Sequence, residues 1–200
     1  MAHQERSNET RLLLIEAASK RLWFEDEGEL RIADICQDTG LSSSAIYSNF
    51  RSRQGLVDAA YLDMYAHLSR EYFQLVARIA GLAETKTSIT DALTVEGPPD
   101  QTHHAPRESR RMRLRIATAA LSRPTLREKF IEVQEAHLAE FGGMIEGLQS
   151  RGVIGSSLNG RQLAVLLEAF SFGRALDDIS LHPETNETWN AMLLKVLSSA

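Results

Sequence analysis

Residues 40–56 read GLSSSAIYSNFRSRQGL. Three serines in a row suggest a loop, but Ile46 and Phe50 follow at helical spacing, so the serines open a short helix instead. Gly40 permits a left-handed backbone turn at no steric cost. Leu41 can plug that turn, and Ser42 has the side chain of an N-cap for a helix over Ser43 to Phe50. Upstream, a second short helix from Arg31 to Thr39 would turn Ile32, Ile35 and Cys36 inward. Helix, tight glycine turn and short second helix form the helix-turn-helix pattern, whose second helix lies in a DNA major groove.

That reading explains the composition of the segment. Small residues at Ser43, Ser44 and Ala45 let a helix N-terminus approach base edges and phosphates closely, and such termini favour phosphate. Tyr47 lies off the Ile46/Phe50 face, where its hydroxyl can reach a phosphate. The charge is local. The net charge is −5, and the first 70 residues hold eight Lys/Arg against eleven Asp/Glu. Between Thr39 and Val57, however, there are two arginines and no acid. A DNA footprint must therefore be confined to this segment.

Working outward, helical periodicity dominates and strand signals are nearly absent, so the fold class is all-α. A first helix is expected over Glu9 to Phe24, with Leu14, Ala18 and Leu22 on one face. Ser52 reads as the N-cap of a long fourth helix carrying the stripe Leu56, Ala60, Met64, Leu68, Tyr72, Leu75 and Ile79. A short helix around Thr87–Val95 precedes the loop GPPDQTHHAPRES. Helices then follow near Arg107–Leu121, Thr125–Ser150, Gly160–Ser180 and Asn186–Ser199. About nine helices thus fall into a helix-turn-helix domain at 8–52 and a helical ligand-binding and dimerisation domain at 53–200. The chain has 200 residues, 43% hydrophobic and 24% charged, ordinary for a globular protein. It shows neither a membrane-spanning run nor a signal-peptide core. The single cysteine, Cys36, excludes an internal disulfide and fits a cytoplasmic setting.

The run IADICQDTGLSSSAIYSNFRSRQGL resembles the TetR family of bacterial transcriptional regulators. In that family a glycine–aliphatic–serine turn precedes an aliphatic–Tyr–x–His/Tyr–Phe helix, and a Ser/Asn–Lys segment opens the fourth helix. Those slots hold Gly40-Leu41-Ser42, Ile46-Tyr47-Ser48-Asn49-Phe50 and Ser52-Arg53. The family's Ile-Leu-x-Ala-Ala pattern in the first helix is matched at Leu14, Ile15, Ala17 and Ala18. The late segment RGVIGSSLNGRQLAVLLEAFSFGRAL resembles the start of the family's dimer-pairing helix. Four positions depart from the pattern. The usual Thr-Ser opening of the second helix is Leu30-Arg31, which makes Arg31 a candidate phosphate contact. The glycine after the first helix is shifted to Gly28, the His/Tyr before Phe50 is Asn49, and Gln54-Gly55 replaces the Glu after the Lys.

The resemblance implies a homodimeric DNA-binding regulator, a repressor, on a pseudo-palindromic operator with half-sites ~34–36 Å apart. The expected DNA contacts are Arg31, Ser42, Ser43, Ser44, Ala45, Tyr47, Ser48, Asn49 and Arg53, with Arg53 as a phosphate clamp. A small-molecule effector is expected in the bundle, lined by Tyr65, Met112, Phe130, His137 and Phe170. Dimerisation would use the last two helices through Leu163, Leu166, Leu167, Phe170, Leu176, Trp189, Leu193, Val196 and Leu197, with Gly173 allowing close approach. The arginines 107, 110, 111, 113 and 115 read as a solvated face paired with acids. His103-His104 lack a third ligand at useful spacing, so no metal and no cofactor are expected. Catalytic motifs are absent, and no enzyme is expected. The alternative is an all-α enzyme or small-molecule-binding bundle with a non-functional helix-turn-helix.

Overall fold

The computed structural model describes residues 2–85, 106–155 and 157–198. These residues form eight helices and no strand. They are α1 (Ala2–Phe24), α2 (Ile32–Thr39), α3 (Ser43–Phe50), α4 (Arg53–Thr85), α5 (Pro106–Ser122), α6 (Pro124–Ser150), α7 (Gly160–Asp177) and α8 (Asn186–Ser198). The helix expected around Thr87–Val95 and the histidines 103 and 104 lie outside the described residues. The chain divides into two compact units, Met1–His67 and Leu68–Ala200, so the division falls inside α4.

In the first unit, α1 starts earlier than its apolar period, but the buried face is the expected one. Leu14, Ala18 and Leu22 are fully buried, as are Ile35, Ile46, Leu56 and Ala60. Each Leu or Ile withdrawn from water stabilises the unit by about 1.5–3 kcal/mol. Arg21 of α1 reaches the Asp38 carboxylate of α2 through Nε (2.6 Å) and Nη2 (3.0 Å). This bidentate geometry fixes the angle between the two helices as well as adding charge. Gly40 ends α2 at φ 69°, and its N–H donates to Cys36 O at 2.9 Å. Cys36 itself is half-buried rather than enclosed in the core.

The turn from α3 to α4 is tight. A Cβ on Gly55 would lie 2.1 Å from the carbonyl oxygen of Phe50, so only glycine fits there. Ser52 Oγ accepts from Gly55 N at 2.9 Å, which is the N-cap that the sequence predicts. Arg51 bridges the two helices at φ 66°, ψ −32°. A left-handed backbone at a residue with a Cβ costs on the order of 1–2 kcal/mol.

In the second unit, Leu138, Phe141, Ile145 and Leu148 of α6 meet Leu163, Ala164 and Leu167 of α7, with Ile154 closing the core. The helices approach closely where a Cβ on Gly160 would come 2.1 Å from Gly142 O. Asn159 caps α7 reciprocally: its Oδ1 accepts from Gln162 N (2.8 Å), and its N–H donates to Gln162 Oε1 (3.1 Å). Leu163 and Leu167 are thus internal, and Leu193 packs against the same core. For Leu163 and Leu167 the expected place on a dimer surface is corrected accordingly. The outward apolar residues of α7 are Val165, Leu166 and Leu176.

Candidate nucleic-acid interface and bundle cavity

Ile46 and Phe50 anchor α3 in the first unit, which turns Ser43, Ser44, Tyr47 and Ser48 outward. The Tyr47 side chain is half-exposed, and Ser42 and Arg31 are exposed. Ala45 and Asn49 are half-buried at the edge of the same face. The face therefore presents short hydroxyls and one phenol, the chemistry of single hydrogen bonds rather than bidentate base contacts.

Several hydroxyls and amides are engaged locally. Ser42 stands at the N-cap position with extended backbone (φ −79°, ψ 155°), but its side chain does not cap α3. Its Oγ instead lies 2.7 Å from Ser44 Oγ. Ser48 Oγ and Asn49 Nδ2 both donate to Ala45 O, at 3.0 and 2.8 Å. Asn49 is thus folded back along its own helix, and its backbone carbonyl accepts from Arg11 Nη1 at 3.4 Å.

Arg53 differs most from its expected role. Its Nε donates to Leu30 O at 2.7 Å, and its Nη2 donates to Glu27 O. The guanidinium ties the α1–α2 loop to the start of α4. These loop carbonyls, partly withdrawn from water, take the donors that the solvent-facing side would otherwise use. Arg31, at the first position before α2, makes no capping bond.

The second unit holds a small cavity lined by Ser69, Tyr72, Arg113, His137, Leu138, Phe141, Ala164 and Glu168. Its volume of about 10 Å³ is at the threshold for a single water. Arg113 is buried, not part of a solvated face. It pairs with Glu168 (2.9 Å), donates to Ser171 Oγ (3.2 Å), and lies 5.5 Å from the ring centres of Tyr72 and Phe172. Gln134 also donates to Glu168. Ser69 Oγ is buried at the cavity with no hydrogen-bond partner among the described residues. Burial lowers the His137 pKa and raises that of Tyr72, in each case by disfavouring the charged form. Of the other arginines, Arg110 forks onto Asp178 (2.7–3.1 Å) from a largely covered position, with Arg107 beside it.

Of the five expected lining residues, only His137 reaches this cavity. Tyr65 and Met112 are buried, Phe130 is half-buried, and Phe170 packs edge-on against Trp189 at 4.7 Å. The residues that were missed, Ser69, Tyr72, Arg113 and Glu168, converge from three helices, and no local spacing marks them. Among the described residues no cluster of potential ligands could hold a metal ion. No described helix is long and apolar enough to cross a membrane.

No protein-family model matches the sequence, and no curated protein sequence matches it. Solved structures do match. A TetR-family transcriptional regulator from Rhodococcus sp. is 19% identical, with 96% of this chain and all of that one covered and a TM-score of 0.58. Reduced NemR from E. coli is 16% identical over the same shares, with a TM-score of 0.65. A transcriptional regulator from Saccharomonospora viridis in complex with choline is 18% identical over 93% of this chain and 94% of that one, with a TM-score of 0.57. The chain therefore has the fold of the TetR-family transcriptional regulators.

Proposed function

We propose that this protein is a TetR-like transcriptional repressor that binds a pseudo-palindromic operator as a homodimer and is released by a small-molecule effector. The observation that carries the reading is the outer face of α3. Ser43, Ser44, Tyr47 and Ser48 stand in solvent over a core that holds Ile46 and Phe50 rigidly. Residues 8–52 read DNA, with Ser43, Ser44 and Ala45 nearest the bases and Arg31, Ser42, Tyr47, Ser48 and Asn49 at the backbone. Residues 53–200 dimerise and bind the effector. Val165, Leu166 and Leu176, exposed along α7, supply the apolar surface for a second copy, together with Met192 of α8.

The effector occupies the second unit, where buried polar groups meet apolar walls, the usual make-up of a ligand site. A cavity of about 10 Å³ admits no effector without movement of its walls. Entry therefore requires Arg113, Glu168 or their neighbours to shift, and that shift is the event coupled to DNA release. By linkage, DNA weakens effector binding by the same factor. The regulator solved with choline shows that this fold takes a small molecule in that protein.

The deciding experiment is a mobility shift on the DNA upstream of the protein's own gene, run across a salt series. Specific retardation that weakens steeply with salt is expected. No retardation at low salt with folded protein rejects the reading in favour of an all-α binding bundle with an idle helix-turn-helix.

A further inference from the structure

We infer that Arg51, the residue that ends the recognition helix, is the cation that grips the DNA backbone, a position Arg53 does not fill. The inference rests on the DNA-binding reading above and specifies the electrostatic contact within it.

Three observations converge on this residue. The first is conformational. Arg51 is the only non-glycine with positive φ among the described residues, at φ 66°. Glycine would relieve that strain. The side chain does not repay it through packing: Arg51 is exposed, and its guanidinium makes no hydrogen bond or ion pair with the described residues. Folding alone therefore gives no reason for an arginine here.

The second is position. Ser43, Tyr47 and Arg51 follow one another at intervals of four, and all three are exposed. The N–H of Arg51 still donates to Tyr47 O at 2.9 Å, so its backbone continues the last turn of α3 before the chain swings into α4. The charge thus stands at the C-terminal end of the stripe that faces DNA, on a junction fixed by the Phe50–Gly55 approach and the Ser52 cap.

The third is elimination within the segment. The stretch from Thr39 to Val57 has two arginines and no acid. Arg53 spends its guanidinium on the carbonyls of Glu27 and Leu30. Arg51 is left as the one cation of that stretch whose side chain stands in solvent. An exposed guanidinium four residues beyond an exposed tyrosine suits a phosphate oxygen, which accepts from either donor.

The test measures the salt dependence of affinity for a short duplex of mixed sequence, so no operator need be known. Wild type, Arg51→Gly, Arg51→Lys and Arg53→Met are compared, with a thermal melt of each. Arg51→Gly keeps or raises Tm, because glycine accepts the backbone angle. Its log K against log[salt] slope becomes shallower by about 0.9 for each phosphate left without its cation, hence about twice that for a dimer. Arg51→Lys keeps the wild-type slope. Arg53→Met melts earlier, because two loop carbonyls lose their donor, and its slope changes less. A wild-type slope in Arg51→Gly overturns the inference. So does a flattened slope with unchanged Tm in Arg53→Met, which returns the clamp to Arg53. If wild type shows no salt-dependent binding at all, the DNA-binding reading itself has failed, an outcome visible before any variant is compared.

Discussion

Tyr47, proposed above to contact DNA, needs little from the fold. Its ring is half-exposed on α3 while its neighbours in sequence, Ile46 and Phe50, carry the packing. Tyr47→Phe should leave the thermal melt unchanged and weaken operator binding by about 0.5–1.5 kcal/mol, the net worth of one hydrogen bond. Unaltered binding would show the hydroxyl to be idle, and a lost melting transition would show the ring to be structural. Arg53 teaches the opposite lesson. As a residue type in that segment it reads as a phosphate clamp, yet the loop carbonyls of Glu27 and Leu30 claim it. A donor's role depends on the nearest buried acceptor, and sequence distance conceals that acceptor more than twenty residues away.

At the scale of elements, close approach and capping decide the second unit. The α6–α7 packing places Gly160 against the Gly142 carbonyl, where a Cβ would sit at 2.1 Å. Gly160→Ala should force the helices apart and destabilise by about 1–3 kcal/mol, the usual cost of overpacking. A denaturant midpoint equal to wild type would show that the helices slide without cost. The link from α7 to α8 is organised by Asp177, whose carboxylate accepts from Trp189 Nε1 and Glu184 N, both at 2.9 Å. The Trp189 bond is the main cause of its lowered pKa. The sign follows from the direction. A depressed carboxylate pKa contributes stability that is present above the unfolded value of 3.8 and is lost as pH falls through the folded one. Trp189 fluorescence, read in a Trp23→Phe background, should therefore change below about pH 4. In Asp177→Asn that acid step should vanish. An acid step that persists in Asp177→Asn would assign the transition to another group.

At the scale of the whole molecule, exposed Val165, Leu166 and Leu176 call for a partner surface. A homodimer is expected, since closed two-fold pairing covers the same patch on both copies. Light scattering should give twice the chain mass at micromolar concentration, and Leu166→Glu should give the monomer with helical content intact. A monomeric wild type would remove the basis for a palindromic operator. The division of the chain inside α4 gives one continuous helix to both units. In the proposed mechanism an event at the effector site reaches the DNA-reading unit along that helix.

The sequence by itself determined the all-helical class, the glycine turn at Gly40, the buried stripe Leu14–Ala18–Leu22, the Ser52 cap and the outward face of α3. All of these are properties of neighbours: periodicity, backbone permissiveness and capping act over a few residues, so a linear reading recovers them. The Asn159–Gln162 capping box is equally local, but it was brought out only by the structure. Only the tertiary structure decided that Arg113 is buried against Glu168, that Leu163 and Leu167 are core while Val165 faces out, and that Ser69 and Tyr72 share a cavity with His137. These depend on which helix packs on which, and an apolar stripe records that it must be covered without recording by what. The same separation holds at the candidate interface. Residue type placed two arginines near DNA, but the carbonyls that a folded loop leaves in need of donors took Arg53 and left Arg51 in solvent.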